Sequence, residues 1–285
     1  MTMTLRSVKK SIPHILLLAF LIATLYPFLF VLFSSVKSDN QAIASNPFGI
    51  PSSFHFENYY EAWVNAKISV YFLNSLYIST LCAIATIIFA SMGAFAITRM
   101  RYLKISKGLY QFILIGLLIP GNALLLPVFI MFNKMEGVFG HPILGTHLAL
   151  ILPYTAGAIP FTVIILSAFM RSIPGEIEEA AVMDGLRAKG VFTKIIMPIT
   201  IPALVTVFII NFIGNWNEFI LANFFISTDE LRTLPVGMVG FRDIYNTNYA
   251  QMSAGIVFSI LPVMIIYAVL QKQIIEGLTA GGVKG

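Results

Sequence analysis

Six long apolar runs, separated by short polar segments, dominate the pattern of hydrophobic and polar positions along the chain. Lipid offers backbone amides no hydrogen-bond partner, so chains cross a membrane as helices or as closed barrels. The runs are about 20 residues long rather than alternating strands of about ten, which favours helices. The predicted spans are residues 13–36, 70–98, 109–132, 146–170, 200–225 and 252–272. We therefore expect an all-α, polytopic membrane protein with six transmembrane helices.

The composition agrees with lipid as the main solvent of the chain. Hydrophobic residues make up 58% of the 285 residues and charged residues 11%, against roughly 45–50% and about 25% in soluble domains. These values exclude a soluble globular domain and a disordered chain. The first run is longer than the 7–15 residues typical of a signal-peptide core, so we expect a retained span. The single cysteine, Cys82, excludes an intramolecular disulfide framework.

The positions of the Lys and Arg residues predict the orientation of the spans. Cations are enriched in cytoplasmic segments of membrane proteins. Thirteen of the 18 lie in the N-tail, the second and fourth connections and the C-tail: Arg6, Lys9, Lys10, Arg99, Arg101, Lys104, Lys107, Arg171, Arg187, Lys189, Lys194, Lys272 and Lys284. The other five are Lys37, Lys67, Lys134, Arg232 and Arg242. Both termini are therefore predicted to be cytoplasmic, and the basic charge needs no nucleic-acid partner to explain it.

Sequence motifs for catalysis are missing. The glycine-rich tail GLTAGGVKG, residues 277–285, is not a phosphate-binding loop, because Val283 separates Gly282 from Lys284. The four histidines show no metal-ligand spacing, and no G-x-S-x-G elbow occurs. The chain is therefore not expected to be an enzyme or to hold a metal. Two classes stay open: a self-contained carrier or channel, and the membrane subunit of a machine that another chain powers.

The connection between the fourth and fifth spans, residues 173–199, carries the most information. Pro174 suits the start of a short helix, and Glu176, Glu178 and Glu179 place negative charge in its first turns. Gly185 can adopt the left-handed conformation that ends a helix. A second amphipathic piece then leads to the fifth span. An ordinary solvated connector is the alternative interpretation.

This loop resembles the E-A-A motif of the permease subunits of ATP-binding-cassette importers. The motif stands here as Glu179-Ala180-Ala181, Asp184-Gly185 and Ile195-Ile-Met-Pro198, with Met197 in place of the commoner leucine. In that family the loop docks in a cleft of the ATPase subunit. The resemblance implies an ATPase-coupling role for Glu179, Ala180, Ala181, Asp184 and Gly185.

Three further stretches resemble the second permease subunit of carbohydrate importers, the MalG type. They are the C-terminal segment 271–285, Trp216-Asn-Glu-Phe219, and Ile119-Pro-Gly-Asn122 followed by Pro127. The resemblance implies the type I importer permease fold, with an N-tail at 1–12, a transmembrane permease domain at 13–272 containing the coupling loop 173–199, and a C-tail at 273–285. It also implies that the tail contacts the ATPase, through Gly277, Thr279, Gly281 and Lys284.

The same resemblance implies a set of partners in a bacterial cell membrane. They are a homologous second permease, two ATPase subunits that bind ATP and Mg²⁺, and an extracytoplasmic sugar-binding protein. The chain itself is expected to hold no cofactor. The outer residues 37–69, with Trp63, Tyr59 and Tyr60, are either a docking surface for that binding protein or an interfacial aromatic anchor.

Polar residues inside spans are candidates for the substrate path, because they are costly in lipid. Asn211, Asn215 and Glu218 are predicted to share one face of the fifth span, where they either line the path or contact another helix. In the third span, Pro120, Gly121, Asn122 and Pro127 should kink or unwind the helix, which is tolerated where it lines a cavity. Asn122 is therefore a candidate for contact with the substrate, and a packed residue without that contact is the alternative.

The sequence therefore predicts the permease subunit of an ATP-driven importer of a sugar or oligosaccharide. An importer permease for another solute, such as glycerol phosphate, is the first alternative. It is less favoured because no predicted span has an interior basic residue. A secondary carrier with Glu218 as ion relay is the second, but it leaves the coupling loop unexplained.

Overall fold

A computed structural model of the chain describes residues 2–99, 103–241 and 248–282. All regular secondary structure in these described residues is helical, as predicted. In chain order the helices are α1 (Thr2–Ser34), α2 (Asn40–Ser45), α3 (Glu57–Tyr60), α4 (Ile68–Arg99), α5 (Leu103–Leu118), α6 (Leu125–Phe139), α7 (Leu148–Ser172), α8 (Gly175–Met183), α9 (Ala188–Gly190), α10 (Met197–Ile199), α11 (Ile201–Trp216), α12 (Ile220–Phe225), α13 (Leu234–Val239) and α14 (Tyr249–Gly282). Short 3₁₀ or π-helical turns at Glu61–Asn65, Gly121–Leu124, Val191–Ile196 and Asp229–Leu231 join some of them.

Four of the predicted spans are continuous helices, within α1, α4, α7 and α14, and each is long and apolar enough to cross a membrane. The third run is broken within its length, and the fifth run begins directly at a bend. Lys104–Leu118 and Gly121–Met135 meet at 86°, and Ala188–Ile199 and Ile201–Trp216 meet at 75°. The predicted kink in the third run is confirmed, because Pro120 is extended and a 3₁₀ turn follows it.

The fifth run differs from its predicted extent, 200–225. Helix α11 ends at Trp216, and a separate short helix, α12, begins at Ile220. Two of the three residues in this gap, Asn217 and Glu218, are polar, but apolar residues resume directly after them, so the predicted span continues through the gap. The Glu218 side chain, which accepts hydrogen bonds from the first turn of α12, marks the gap.

The chain divides into two compact units, Met1–Ser69 with Met238–Leu261, and Val70–Gly237 with Pro262–Gly285. In the second unit, α4 and α7 are joined along buried small residues, among them Cys82, Ala90 and Ala94, each 0% exposed. Small side chains let helix backbones approach closely, which is how helices associate in lipid. The Thr86 hydroxyl adds a bond to the Thr155 carbonyl at 3.4 Å.

In the first unit, the C-terminal end of α1 is hydrogen-bonded to the segment that follows it. The Asn58 amide donates to the carbonyls of Ser35, at 3.0 Å, and Lys37, at 2.8 Å. In contrast, no residue in the most apolar 18-residue stretch of α1, within Ile12–Ser34, is buried. Its large side chains are exposed, for example Leu16 at 65% and Phe20 at 68%.

Replacing Gly237 with Ala should destabilise the second unit by about 1–3 kcal/mol, because it overpacks a filled site. A Cβ at Gly237 would lie 2.1 Å from Cδ2 of Tyr71. That ring cannot easily move, since Tyr71 is 6% exposed and its hydroxyl donates to Asp229 at 3.0 Å. Thermal unfolding in detergent measures the effect.

Gly93→Ala is the matched control for this prediction. Its Cβ would meet Val163 at an ordinary 3.7 Å, within α4. Ala is a better helix former than Gly by about 1 kcal/mol, so Gly93→Ala should not lower the unfolding temperature. Equal unfolding temperatures for Gly237→Ala and the unmodified chain would contradict the packing seen at Gly237.

Candidate functional site

The loop 173–199 has the predicted helix–break–helix form. Pro174 is extended, with φ −59° and ψ 137°, and α8 begins directly after it. Gly185 ends α8 in the left-handed conformation, with φ +87°. The Gly185 amide donates to the Val182 carbonyl at 2.9 Å, and the Leu186 amide to the Ala181 carbonyl at 3.0 Å. This pair of bonds is the Schellman motif, which satisfies carbonyls at a helix end.

One face of α8 packs into the second unit. Ala181 is 6% exposed and belongs to a hydrophobic cluster with Met170 of α7, Ala94 of α4, and Val191 and Ile196 from the second half of the loop. Of the five predicted coupling residues, Ala181 therefore anchors the loop, whereas Glu179, Ala180, Asp184 and Gly185 are exposed.

The other face of α8 exposes large apolar side chains. Met183 is 87% exposed, Val182 57% and Ile177 40%. Val182, Met183 and Glu179 also line a groove of about 640 Å³, together with Phe95, Arg99, Glu178, Ala188 and Val191. A contiguous exposed apolar surface rimmed by charges is typical of a protein–protein contact.

An ion pair that the sequence did not predict closes one side of this groove. The Arg99 guanidinium, at the end of α4, donates to the carboxylate of Glu178 on α8. The same guanidinium donates to the Met170 carbonyl in α7 at 2.8 Å. In the sequence, Arg99 indicated orientation and Glu178 a helix start, and no local pattern pairs residues so far apart.

Two of the polar residues predicted for the substrate path are engaged in contacts between helices. Asn211 is 7% exposed, and its amide donates to the Thr162 hydroxyl of α7 at 3.0 Å. Glu218 accepts from the Tyr154 hydroxyl of α7, and from the amides of Leu221 at 2.8 Å and Ala222 at 3.1 Å. Because α11 ends at Trp216, Glu218 does not share a helix face with Asn211, contrary to the prediction.

The remaining path candidates are less enclosed. Asn215 is half-buried, and its amide nitrogen has no hydrogen-bond partner among the described residues. Asn122 is exposed on the 3₁₀ turn Gly121–Leu124, at the 86° bend. Of these residues, Asn122 alone combines an exposed side chain with an interrupted helix, which is the arrangement expected beside a cavity.

The segment after α12 is hydrogen-bonded to residues near the starts of α4 and α7. Asn74 of α4 donates to the carbonyls of Glu230 and Arg232, at 2.8 and 2.9 Å. The Leu234 amide donates to the Ser75 hydroxyl at 2.7 Å. On the α7 side, the Gly145 amide donates to the Phe225 carbonyl at 2.8 Å. These bonds hold residues 225–234 as a fixed element rather than a free loop.

The segment 37–69 of the first unit combines aromatic contacts with a buried lysine. Trp63 and Tyr59 contact Phe258, with ring centroids 4.8 and 5.6 Å apart. Lys37 is 3% exposed and donates to the Asn46 carbonyl, and burial lowers the pKa of its amine. The amine of Lys37 therefore links the end of α1 to Asn46 within this segment.

The C-terminal candidates fall at the end of the last helix. Gly277, Thr279 and Gly281 lie within α14, which runs to Gly282, and Lys284 lies outside the described residues. Within the part of the chain that the structure describes, no group of three or more His, Cys, Asp or Glu side chains could hold a metal ion.

Comparison with known proteins gives consistent matches. Residues 91–279 match the family model described as binding-protein-dependent transport system inner membrane component. A probable ABC transporter permease of Bacillus subtilis, YurM, is 35% identical, covering 95% of this chain and 87% of that protein. The melibiose/raffinose/stachyose import permease MelC of the same species is 32% identical, and the match covers 97% of this chain and 98% of that protein.

The fold also matches a solved transporter. A chain of a bacterial ABC transporter involved in the import of the acidic polysaccharide alginate superposes with a TM-score of 0.81. The match covers 93% of this chain and 96% of that one, at 22% sequence identity. It confirms the predicted all-α importer permease fold.

Proposed function

The chain belongs to the family of binding-protein-dependent transport system inner membrane components, and from that premise we propose that it imports a sugar or oligosaccharide. The observation that carries the substrate class is the set of relatives over nearly the whole chain. They include the MelC permease and a diacetylchitobiose uptake permease of Streptomyces coelicolor, which is 33% identical over 95% of this chain. In this role the chain forms part of the translocation path and performs no hydrolysis.

The exposed face of α8 supports the proposed contact with the ATPase. Glu179, Val182 and Met183 are presented outward, while Ala181 and the Gly185 break fix the helix from behind. Partner ATPases would bind ATP and Mg²⁺, and their closure would push on this face. ATP then drives the path between two states because it binds one of them more tightly.

The cation bias supports the proposed orientation. In this orientation both termini and the loop 173–199 lie in the cytoplasm. The segment between α1 and α4 then lies outside, where an extracytoplasmic binding protein would deliver substrate. The division into tails and a permease domain at 13–272 remains part of this proposal, as does the contact of the C-terminal residues with the ATPase.

Reconstitution in liposomes tests the function. The chain, with a second permease, the ATPase and a binding protein, should take up a neutral oligosaccharide only when ATP is present inside. Uptake without the ATPase subunit would overturn the proposal. Competition by raffinose, diacetylchitobiose, sulfoquinovosyl glycerol and glycerol phosphate separates neutral from anionic substrates. A relative from Agrobacterium fabrum is named for sulfoquinovosyl glycerol transport, at 31% identity.

Asn122→Ala should weaken uptake by raising the apparent KM about threefold to tenfold. We assign Asn122 to the path, and loss of one neutral hydrogen bond to substrate costs about 0.5–1.5 kcal/mol. Thermal stability should be unchanged, since the side chain is exposed. Uptake against substrate concentration measures the effect.

Asn211→Ala is the contrasting variant. Its side chain is buried and bonded to Thr162, so the variant should lower the unfolding temperature while KM stays near its normal value. A normal KM for Asn122→Ala would remove this residue from the path. A raised KM for Asn211→Ala, at normal stability, would favour the lining role for that residue instead.

A further inference from the structure

Arg99 joins three elements through one side chain. It is the last residue of α4, its Nε donates to Glu178 of α8, and a terminal nitrogen donates to the Met170 carbonyl of α7 at 2.8 Å. The Met170 carbonyl also accepts from the Ile173 amide at 3.3 Å, at the end of α7. A cation at a helix C-terminus is favoured by the helix dipole and supplies donors that the helix lacks there.

The pair is shielded from water more than an ordinary surface ion pair. The side chains are 22% exposed for Arg99 and 17% for Glu178. Exposed pairs contribute little because water screens them, but removing one member of a shielded pair leaves a charge without its partner. The Arg99–Glu178 contact therefore favours one placement of α8 over others.

The contact fixes how α8 is rotated about its axis. Successive residues of an α-helix point about 100° apart, so Glu178 can reach Arg99 only while the adjacent Glu179 and the Val182–Met183 edge keep their present directions. One turn earlier in α4, the Phe95 ring lies 5.0 Å from Phe192 in the second half of the loop. The end of α4 thus contacts both halves of the loop.

We propose that Arg99 is a positioning residue for energy coupling, which rests on the proposed function as an ATP-driven importer. Through Glu178 it holds the docking face of α8 in register with the ends of α4 and α7. A displacement of α8 by the ATPase is then transmitted to two spans at once. Without Arg99, α8 keeps its apolar contact at Ala181 but can rotate about its axis. Part of the displacement caused by each cycle of the ATPase then moves the loop without moving α4 and α7.

The geometry requires an arginine at this position. The guanidinium presents donors in two directions, one toward the Glu178 carboxylate and one toward the Met170 carbonyl, whereas a lysine ammonium is a compact point charge. Arg99→Lys should therefore keep the ion pair and lose the link to α7. It should fall between the unmodified chain and Arg99→Ala.

The test compares variants in the complete complex, reconstituted in liposomes. For Arg99→Ala and Glu178→Gln, we expect the complete complex to assemble, and import is compared at equal amounts of complex. Substrate molecules imported per ATP hydrolysed should fall about fivefold or more. Because Glu178→Gln conserves volume, it reports the pairing even if Arg99→Ala lowers abundance.

A charge exchange and a matched control complete the design. Arg99→Glu combined with Glu178→Arg should import more per ATP than Arg99→Glu alone, because it restores the attraction. Lys107→Ala removes an exposed cation of α5 and should leave the ratio unchanged. Normal import per ATP in both Arg99→Ala and Glu178→Gln would overturn the inference, as would loss of the complex in both.

Failure of this inference is distinguishable from failure of the proposed function. If the unmodified complex imports substrate only with ATP, the function holds whatever Arg99 does. If the unmodified complex imports without the ATPase, the function itself fails and the ratio has no meaning.

Discussion

Gly185→Val should reduce ATP-driven uptake at least tenfold without removing the chain from the membrane. Gly185 ends α8 with φ +87°, a conformation that costs residues with a Cβ about 1–2 kcal/mol and β-branched residues more. A Cβ there would meet no atom within 4 Å, so the effect arises from the backbone and not from a clash. The break would shift to a right-handed conformation and turn α8 away from the second half of the loop.

Two variants isolate this cause. Gly185→Asn should retain most uptake, because Asn tolerates the left-handed region. Gly175→Ala, at the start of α8, also places its Cβ in open space but has no positive φ, and should be close to normal. Uptake rates at equal complex abundance are the measurement. If Gly185→Val and Gly175→Ala transport equally well, the left-handed break is not needed for coupling.

Glu218→Ala should lower the free energy of unfolding by about 3 kcal/mol, since it leaves three buried or half-buried donors without an acceptor. These donors are the Tyr154 hydroxyl and the amides of Leu221 and Ala222. Tyr154 is 6% and Ala222 0% exposed, so water compensates poorly. We expect a lower unfolding temperature and partial loss of the α11–α12 junction.

Graded variants separate the contributions at this junction. Glu218→Gln keeps one acceptor oxygen and should lower the free energy of unfolding by about half as much. Tyr154→Phe removes a donor and leaves no donor unsatisfied, so it should lower the free energy of unfolding by about 1 kcal/mol. Glu176→Ala removes an exposed glutamate of α8 and serves as the control. It should lower the free energy of unfolding by less than about 1 kcal/mol. If Glu218→Ala unfolds at the normal temperature while uptake is lost, Glu218 belongs to the path and not to the helix junction.

The features that the sequence predicted well are those with a local cause. The break at Pro120–Gly121 follows from a missing amide and a flexible glycine. The end of α8 at Gly185 follows from the left-handed preference of one residue. Neither depends on what the rest of the chain does, so each could be located to within a residue or two.

The features that the sequence missed have long-range causes. The end of α11 depends on Glu218, whose partner Tyr154 is 64 positions away, and the Arg99–Glu178 pair spans 79 positions. Asn211 follows the same rule, because its partner Thr162 is 49 positions distant. Helical spacing could place Asn211 on a face, but it could not distinguish a path from a neighbouring helix.

The exposure of α1 has a consequence for how the protein is made. This helix is synthesised before α4 and α7, and no residue in its most apolar stretch is buried by the parts of the chain that the structure describes. Its insertion therefore does not wait for the rest of the chain, and the bilayer alone can accept it as an independent unit. Cellular quality-control proteases would then encounter an early intermediate in which α1 is already inserted in the membrane, while α4 and α7 are still to be synthesised.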